Sequence, residues 1–265
     1  MIQQAVIIAA GKGSRIRTSA GDLPKPLQRV AGTTLLKRTI LTLAQAGVDR
    51  VVVVVGFMGD LVRRVVQSDT EFAMLGVRIE VVENPDYEKA NGVSVLAARE
   101  HVDEAFLLSM ADHVYDVKLP HLAAASDMAL ADLYLATDSR VSEVYDIDDA
   151  TKVRTHLGHI VDIGKEIPEY DCIDCGVFAV TPRLMDVLDD LHREHGDCAL
   201  SDGVRCLAAE GRAGVFDIGD AFWQDVDTQD ARQRAEFELR RRGAVYVPSA
   251  AWRSAQIAAV AAAEK

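Results

Sequence analysis

Long apolar runs, cysteines, aromatic residues and an excess of positive charge are all scarce in this 265-residue chain. No apolar run approaches the roughly 18 residues of a membrane span, so we expect no such span. Acidic residues outnumber Lys and Arg by 41 to 29, giving a net charge of −12. That balance argues against a nucleic-acid partner, because proteins of that class present a basic face. The N-terminus lacks a basic segment followed by an apolar core, which predicts a cytoplasmic protein.

The four cysteines fit a reducing compartment better than a disulfide scaffold. Cys172 and Cys175 form a CxxC spacing, and together with Cys198 and Cys206 they raise the alternative of a zinc site. Residues 171–180, however, have the pattern of a strand, in which positions three apart face opposite sides. We therefore interpret these cysteines as packing residues.

The first half of the chain alternates strand patterns with amphipathic helical patterns. Strands are predicted over residues 5–10, 51–55, 77–82, 105–110 and 131–136. A helix beginning near Leu35 has Thr33 or Thr34 as a candidate N-cap and Gly47 as a stop. The almost wholly apolar first strands are typical of parallel strands covered on both faces. The pattern predicts an α/β fold with a doubly wound, mostly parallel, Rossmann-like sheet.

The second half is richer in hairpin patterns. Residues 151–157 and 159–165 flank Gly158 as a hairpin, and 171–180 and 213–218 are further strands. Helices are predicted over 182–194, 200–210 and 229–242. We expect one domain over residues 1–240, with a smaller β-containing lobe mainly within 138–215. A helical tail over 241–265 is expected to pack on the body or on a neighbouring copy.

A glycine loop follows the first strand. Gly11 and Gly13 remove side chains where the backbone could approach phosphate groups, and the loop amides favour anions. Ile16 stands where both a P-loop and a dinucleotide fingerprint would need glycine, which excludes those two motifs. Taken alone, the loop is equally compatible with an ordinary strand-to-helix turn.

The function of this loop can be interpreted together with a lysine that lies between two prolines further along the sequence. The run Ala9-Ala10-Gly11-x-Gly13-Ser14-Arg15, followed by Pro24-Lys25-Pro26-Leu27, resembles the signature of nucleotidyltransferases that activate sugar and alcohol phosphates. The resemblance implies a nucleotide site formed by Ala10, Gly11, Gly13, Ser14, Arg15 and Lys25. Arg15 and Lys25 would be its catalytic cations. The guanidinium of Arg15 can bind two phosphate oxygens at once, whereas the ammonium of Lys25 is a compact point charge.

Three aspartates are candidate metal ligands. Asp112 follows the strand over 105–110, at the end where open α/β sheets bind ligands, although a helix-capping role is an alternative. Residues 223–228 resemble the W-x-D-V-D-T segment of the same superfamily, and Asp225 and Asp227 would share a face of a strand. The resemblance implies a Mg²⁺ ion held by Asp112 with one or both of these carboxylates. A capping role for Asp227 or Thr228 stays open.

Further segments indicate a subfamily. Residues 89–98, 108–115, 150–153, 163–165, 171–176 and 223–228 resemble inositol-1-phosphate cytidylyltransferases, and the likeness covers roughly residues 5–235. It implies that Asn91, Gly92 and Ser94 lie near the base and ribose, although Asn91-Gly92 also fits a simple turn. It likewise implies that Lys165, Asp174 and Lys152 bind the acceptor, although lone lysines are often surface charges. Ser14, Ala111 and Cys175 differ from the residues that are common at these positions in the family. The identity of the acceptor is therefore less defined than the catalytic groups.

The expected activity is Mg²⁺-dependent joining of CTP and myo-inositol 1-phosphate to give CDP-inositol and pyrophosphate. Alternatives keep the chemistry with phosphocholine, aminoethylphosphonate or a sugar 1-phosphate as acceptor, and with CTP, UTP or dTTP. Aromatic content of 6% disfavours a choline box. A catalytically silent nucleotide-binding regulator is the alternative from another class. The resemblance also implies a membrane-bound CDP-alcohol phosphotransferase as pathway partner, and a homodimer is possible.

Overall fold

Thirteen strands and eight helices form in the part of the chain that the computed structural model describes, residues 1–17, 19 and 21–248. The strands are β1 Gln4–Ala9, β2 Arg29–Val30, β3 Thr33–Thr34, β4 Arg50–Val55, β5 Arg78–Glu83, β6 Phe106–Met110, β7 His113–Tyr115, β8 Leu133–Asp138, β9 Lys152–His156, β10 His159–Gly164, β11 Cys172–Val180, β12 Ala213–Asp217 and β13 Trp223–Asp225. The helices are α1 Leu35–Gln45, α2 Gly59–Ser68, α3 Thr70–Met74, α4 Asn91–Leu96, α5 Lys118–Ala124, α6 Arg183–His195, α7 Leu200–Ala209 and α8 Gln229–Arg241.

Nine strands build one central sheet in the order β5-β4-β1-β6-β11-β8-β12-β10-β9. The strands β5, β4, β1 and β6 are parallel, as are β8 and β12. The α/β fold with a mostly parallel sheet is confirmed, because seven of the nine strands run in one direction and only β11 and β10 run against them. β11 runs antiparallel to both of its central neighbours, and the β9–β10 hairpin extends the same sheet with antiparallel pairs. The strands predicted for the lobe therefore continue the main sheet.

Two hydrophobic cores cover the two faces of this sheet. Alternation along β1 sends Ala5 and Ile7 to one core and Val6 to the other, which explains the unbroken apolar run. The cysteines of β11 divide in the same way, with Cys175 in the first core and Cys172 in the second. Burial raises the pKa of the Cys172 thiol to about 12. Among the described residues, no cysteine belongs to a cluster that could hold a metal.

Helix ends follow the capping residues of the sequence. The Thr34 side chain accepts a hydrogen bond from the Lys37 amide at 3.3 Å and starts α1. The last described helix, α8, ends at Arg241, and residues 242–248 continue without a helix or strand. The rest of the expected helical tail, residues 249–265, lies outside the described residues. None of the described helices is long and apolar enough to cross a membrane.

A two-stranded ribbon stands apart from the main sheet. β7 and β13 pair antiparallel, and the register places Asp225 opposite His113. β7 directly follows β6, whereas β13 arrives more than a hundred residues later. The ribbon thereby brings the two sequence segments that carry candidate metal ligands to one place.

Candidate active site

The candidate site lies where parallel strands β1 and β6 end side by side. The glycine loop follows β1 and Asp112 follows β6, so both lie at the edge where open α/β sheets bind ligands. A pocket of about 440 Å³ opens beside them. Its lining includes Asn91, Asp112, His113, Asp149, Lys165, Asp174, Leu200, Trp223, Asp225 and Asp227.

Lys25 is the buried cation of the site. It opens a short 3-10 turn, Lys25–Leu27, and only 6% of the residue is exposed. Its Nζ donates to Asp112 Oδ2 at 2.8 Å, lies 3.6 Å from Asp225 Oδ1 and forms an ion pair with Asp227. The structure thus brings together Lys25 and all three predicted metal ligands.

Gly13 makes room for this lysine. Its φ is +57°, and a Cβ at this position would lie 2.5 Å from the Lys25 Cβ. A Cβ on the exposed Gly11 would meet no atom within 4 Å beyond its chain neighbours, and Ser14 is also exposed. Ala10 is buried, and its carbonyl accepts a hydrogen bond from the Phe57 amide at 2.9 Å. The loop therefore has one glycine required by packing and an open stretch beside it.

Arg15 and Lys165 meet at a residue that the sequence did not single out. Arg15 Nη1 donates to Asp149 Oδ2 at 2.6 Å, and Lys165 Nζ donates to Asp149 Oδ1 at 2.7 Å. The other terminal nitrogen of Arg15 pairs with Asp227. Burial would raise the pKa of the Asp149 carboxyl, but the hydrogen bonds from Lys165 and Arg15 outweigh it and hold that pKa below its usual value.

The carboxylates form two overlapping groups with atoms suited to a cation. Ligand atoms of Asp112, His113 and Asp225 lie within 4.8 Å of one another, as do those of Asp149, Asp225 and Asp227. Among the described residues, Asp225 Oδ1 is buried and has no hydrogen-bond partner. Thr228 caps α8 by accepting from the Ala231 amide at 3.1 Å, which leaves Asp227 to the site. Carboxylate oxygens with an unsatisfied atom fit a Mg²⁺ ion, which prefers such ligands.

His113 is fixed between Asp112 and an aromatic wall. Its Nδ1 lies 2.8 Å from Asp112 Oδ1, and its ring stacks on Trp223 with centroids 6.0 Å apart. Burial lowers the pKa of His113, but the charges of Asp225 and Asp112 outweigh that effect and raise it to about 9. Burial would also raise the pKa of Asp112, yet Lys25 and His113 hold it far below its usual value. Asp112 is therefore ionised beside an imidazolium at neutral pH.

Trp223 is itself anchored from behind. Its Nε1 donates to Asp138 Oδ2 at 2.8 Å, and Asp138 also accepts from Arg140 Nε and Nη2, each at 2.9 Å. Arg140 in turn donates to the Ala221 carbonyl at 2.8 Å. This anchor sets the position at which the chain enters β13.

Asp174 faces the same pocket from β11. Its Oδ1 accepts a hydrogen bond from the Gly176 amide at 2.7 Å. Burial raises the pKa of the Asp174 carboxyl to about 6, so it is mostly ionised at pH 7. An ionised carboxylate at this position can accept hydrogen bonds from hydroxyl groups.

The residues predicted near the base have structural partners in the described protein. Asn91 lines the pocket, and its Oδ1 accepts a hydrogen bond from the Leu200 amide at 2.9 Å. A Cβ on Gly92 would lie 2.5 Å from the Cys198 carbonyl oxygen, so this glycine is needed for the approach of the chain before α7. Ser94 is buried, and its Oγ accepts from Asn84 Nδ2 at 2.9 Å. The structure does not bring Gly92 or Ser94 to the described lining of the pocket.

Lys152, also expected at the acceptor, is bonded to backbone carbonyl groups. Its Nζ donates to the carbonyl of Lys165 at 2.8 Å and to those of Asp148 and Ala150 at 3.3 Å. These contacts support the loop that carries Asp149 and the end of β10. Lys165, in contrast, is half exposed and lies on the pocket wall.

Comparison with known proteins gives a consistent result. The family model of the MobA-like NTP transferase domain matches residues 5–161. A bifunctional IPC transferase and DIPP synthase of Rubrobacter xylanophilus is 39% identical over 241 residues, covering 89% of this chain and 52% of that protein. A CMP-5'-(3-aminopropyl)phosphonate synthase of Streptomyces rubellomurinus is 32% identical over 256 residues, covering 89% of this chain and 38% of that protein.

A solved structure extends the likeness to three dimensions. The inositol-1-phosphate CTP transferase from T. maritima superposes with a TM-score of 0.78 at 29% identity, covering 93% of this chain and 98% of that one. The chain spans about half the length, or less, of the two longer relatives.

Proposed function

Since the chain belongs to the family of MobA-like NTP transferase domains, we propose that it is a Mg²⁺-dependent cytidylyltransferase joining CTP to myo-inositol 1-phosphate. The products are CDP-inositol and pyrophosphate. The likeness to an IPC transferase and to an inositol-1-phosphate CTP transferase supports this substrate pair.

One observation carries the proposal: cations suited to two phosphate groups lie around one pocket. Lys25 and Arg15 pair with carboxylates of the pocket lining beside the glycine loop, and Lys165 belongs to that lining at the end of β10. Asp149 contacts both Arg15 and Lys165, so the two proposed phosphate positions are close neighbours. A reaction between a triphosphate and a second phosphate needs such a neighbourhood.

The reaction is a displacement at phosphorus. An oxygen of the acceptor phosphate attacks the α-phosphorus of CTP, and the bond to the oxygen that bridges to the β-phosphate breaks. The attacking oxygen is already anionic at neutral pH, so no general base is required. Lys25 and Arg15 exchange their carboxylate partners for phosphate oxygens and neutralise charge on the triphosphate. Lys165 holds the acceptor phosphate, and Asp174 accepts hydrogen bonds from acceptor hydroxyls.

Asp112, Asp225 and Asp227 are the residues that would hold Mg²⁺. When bound, the ion supplies positive charge to the triphosphate. Removing it with EDTA should abolish pyrophosphate release, and adding Mg²⁺ back should restore it. Full activity in metal-free buffer would contradict this assignment.

A phosphonate acceptor is the second candidate, because a relative is a CMP-5'-(3-aminopropyl)phosphonate synthase. The polar pocket wall formed by Lys165 and Asp174 suits an anionic group beside a hydrogen-bonding one, which both acceptors offer. We further propose that CDP-inositol passes to a membrane-bound CDP-alcohol phosphotransferase. The Rubrobacter relative is named as a DIPP synthase as well as an IPC transferase, and this supports such a second step.

A substrate matrix tests the proposal. CTP, UTP and dTTP are each combined with myo-inositol 1-phosphate, aminoethylphosphonate, phosphocholine and glucose 1-phosphate, and pyrophosphate release is measured. We expect the highest kcat/KM for CTP with myo-inositol 1-phosphate. Activity only with UTP or dTTP and glucose 1-phosphate would overturn the substrate assignment. Nucleotide binding without pyrophosphate release from any pair would favour a silent regulator.

A further inference from the structure

We propose that Asp149 couples the filling of the nucleotide position to the filling of the acceptor position. The inference rests on the proposed function, and it assigns a role to a residue that lies outside every motif in the sequence. Asp149 is a positioning residue here, because it acts through two cations and does not itself carry the reacting atoms.

The geometry places one carboxylate between two elements of the site. Arg15 follows β1 in the glycine loop, and Lys165 follows β10 at the end of the hairpin. The Oδ2 of Asp149 lies 2.6 Å from Arg15 Nη1, and its Oδ1 lies 2.7 Å from Lys165 Nζ. Each oxygen of the carboxylate is therefore committed to a different cation.

Both cations are held by carboxylates before any substrate arrives. Arg15 is shared between Asp149 and Asp227, and Lys165 pairs with Asp149. A triphosphate oxygen that takes the Arg15 N–H groups bonded to Asp149 or Asp227 displaces a carboxylate. An acceptor phosphate oxygen competes with the same Asp149 for the Lys165 ammonium. Asp149 thus competes with both substrates.

Sharing one carboxylate makes the two competitions dependent on each other. While both ion pairs exist, each helps to fix the carboxylate that the other uses. When the first substrate takes its cation, Asp149 keeps only one ion pair and is less well oriented for it. The second cation is then easier to take, and by linkage the effect is the same in either order of binding.

The expected size is modest, because the three side chains are partly exposed. Side-chain exposure is 48% for Arg15, 51% for Lys165 and 31% for Asp149. Exposed ion pairs contribute little to stability, so we expect changes in affinity of roughly three- to tenfold.

The test compares binding of each ligand alone with binding of both. Calorimetry with Mg²⁺ measures the Kd of α,β-methylene CTP, which cannot release pyrophosphate, and the Kd of myo-inositol 1-phosphate. Each titration is repeated with the other ligand at saturation. In the wild type, each ligand should bind several-fold more tightly when the other is present. In Asp149→Asn, each ligand should bind roughly three- to tenfold more tightly alone, and the coupling should fall towards one.

Asp148→Asn is the matched control. It removes one negative charge from the same loop, and Asp148 is exposed and lies outside the described lining of the pocket. In the described structure its side chain pairs with neither Arg15 nor Lys165. The control should keep the wild-type coupling, which separates the shared ion pairs from the general effect of charge.

The outcomes distinguish this inference from the proposed function. If neither ligand binds the wild type, the substrate assignment fails, and the coupling fails with it. If both bind and Asp149→Asn keeps the wild-type coupling, only the inference fails. Weaker binding of α,β-methylene CTP to Asp149→Asn also overturns it, since that result would make Asp149 a ligand for the nucleotide's metal.

Discussion

At the scale of single residues, the glycine loop separates two reasons for having glycine. Gly13 has a positive φ and lies against the Lys25 side chain, whereas the space beside Gly11 is open. The sequence alone assigned both glycines to phosphate approach. The distinction depends on the fold, because Lys25 reaches Gly13 only after the chain has turned back through the intervening residues.

Substituting these two glycines gives a direct comparison. Gly13→Ala should lower the free energy of unfolding by about 1 to 2 kcal/mol, because an L-residue is strained in the left-handed region. The contact with Lys25 Cβ should also lower kcat. Gly11→Ala, the control, should unfold like the wild type in urea. Equal stability of the two variants would contradict the packing role of Gly13.

Lys25 can be tested against a neighbouring lysine. Lys25→Ala removes the buried ammonium that contacts Asp112, Asp225 and Asp227, and kcat should fall about 100- to 1000-fold, as for loss of one preorganised charge-stabilising group. Lys12→Ala removes a charge from the same loop, but Lys12 is exposed and pairs with Glu88. Its turnover should stay near that of the wild type. Pyrophosphate release by Lys25→Ala at the wild-type rate would refute the catalytic role.

At the scale of elements, most of the long strands and several of the helices were predicted, whereas the short ribbon was not. The apolar runs of β1, β4 and β6 and the helix from Leu35 lie within a residue or two of their expected positions. β7 and β13 have three residues each and pair across a long sequence separation. Three residues carry too little periodicity to identify a strand, and nothing local specifies such a distant partner.

The anchor behind this ribbon should matter for both stability and turnover. Trp223→Phe keeps a ring against His113 and removes the Nε1 donor to Asp138. We expect a loss of about 1.5 to 3 kcal/mol in the free energy of unfolding, the usual range for a hydrogen bond to a charged group. We also expect a lower kcat, because β13 carries Asp225.

A double-mutant cycle with Asp138→Asn supplies the control for this anchor. If the indole acts through Asp138, the two substitutions should be non-additive in the urea unfolding free energy. Strict additivity would show that the indole stabilises the ribbon in some other way.

At the scale of the whole molecule, the sequence predicted those site residues that belong to recognisable motifs. Arg15, Lys25, Asp112, Asp225 and Asp227 have motif neighbours, and the structure brings them together. Asp149 directly precedes the segment 150–153 but belongs to no motif, and it lies in an acidic stretch where several aspartates look alike in sequence. Its role comes from the approach of the glycine loop to the hairpin, which is a property of the assembled sheet. Ser94 and Gly92 show the converse, since both have packing partners that sequence does not reveal.

Acid should destabilise the molecule through carboxylates that tie distant segments together. Hydrogen bonds from Arg212 and Thr181 lower the pKa of Asp132 below its ordinary value of 3.8. The folded state therefore releases this proton more readily than the unfolded state. Its contribution is present above pH 3.8 and is lost as the pH falls through the folded-state value. Urea unfolding followed from pH 7 to pH 2 should show this loss at the acid end, and Asp132→Asn should be less stable at pH 7 with a smaller acid dependence.

The central antiparallel strand has a consequence for the order in which the chain is made. β11 lies between β6 and β8, and both of these leave the ribosome before it does. Until Val180 has emerged, the edges of β6 and β8 that face β11 are unpaired, and unpaired strand edges are sites of association with other chains. The sheet therefore closes late in synthesis. A translational pause between β8 and β11 would prolong the time for which these strand edges stay exposed to association.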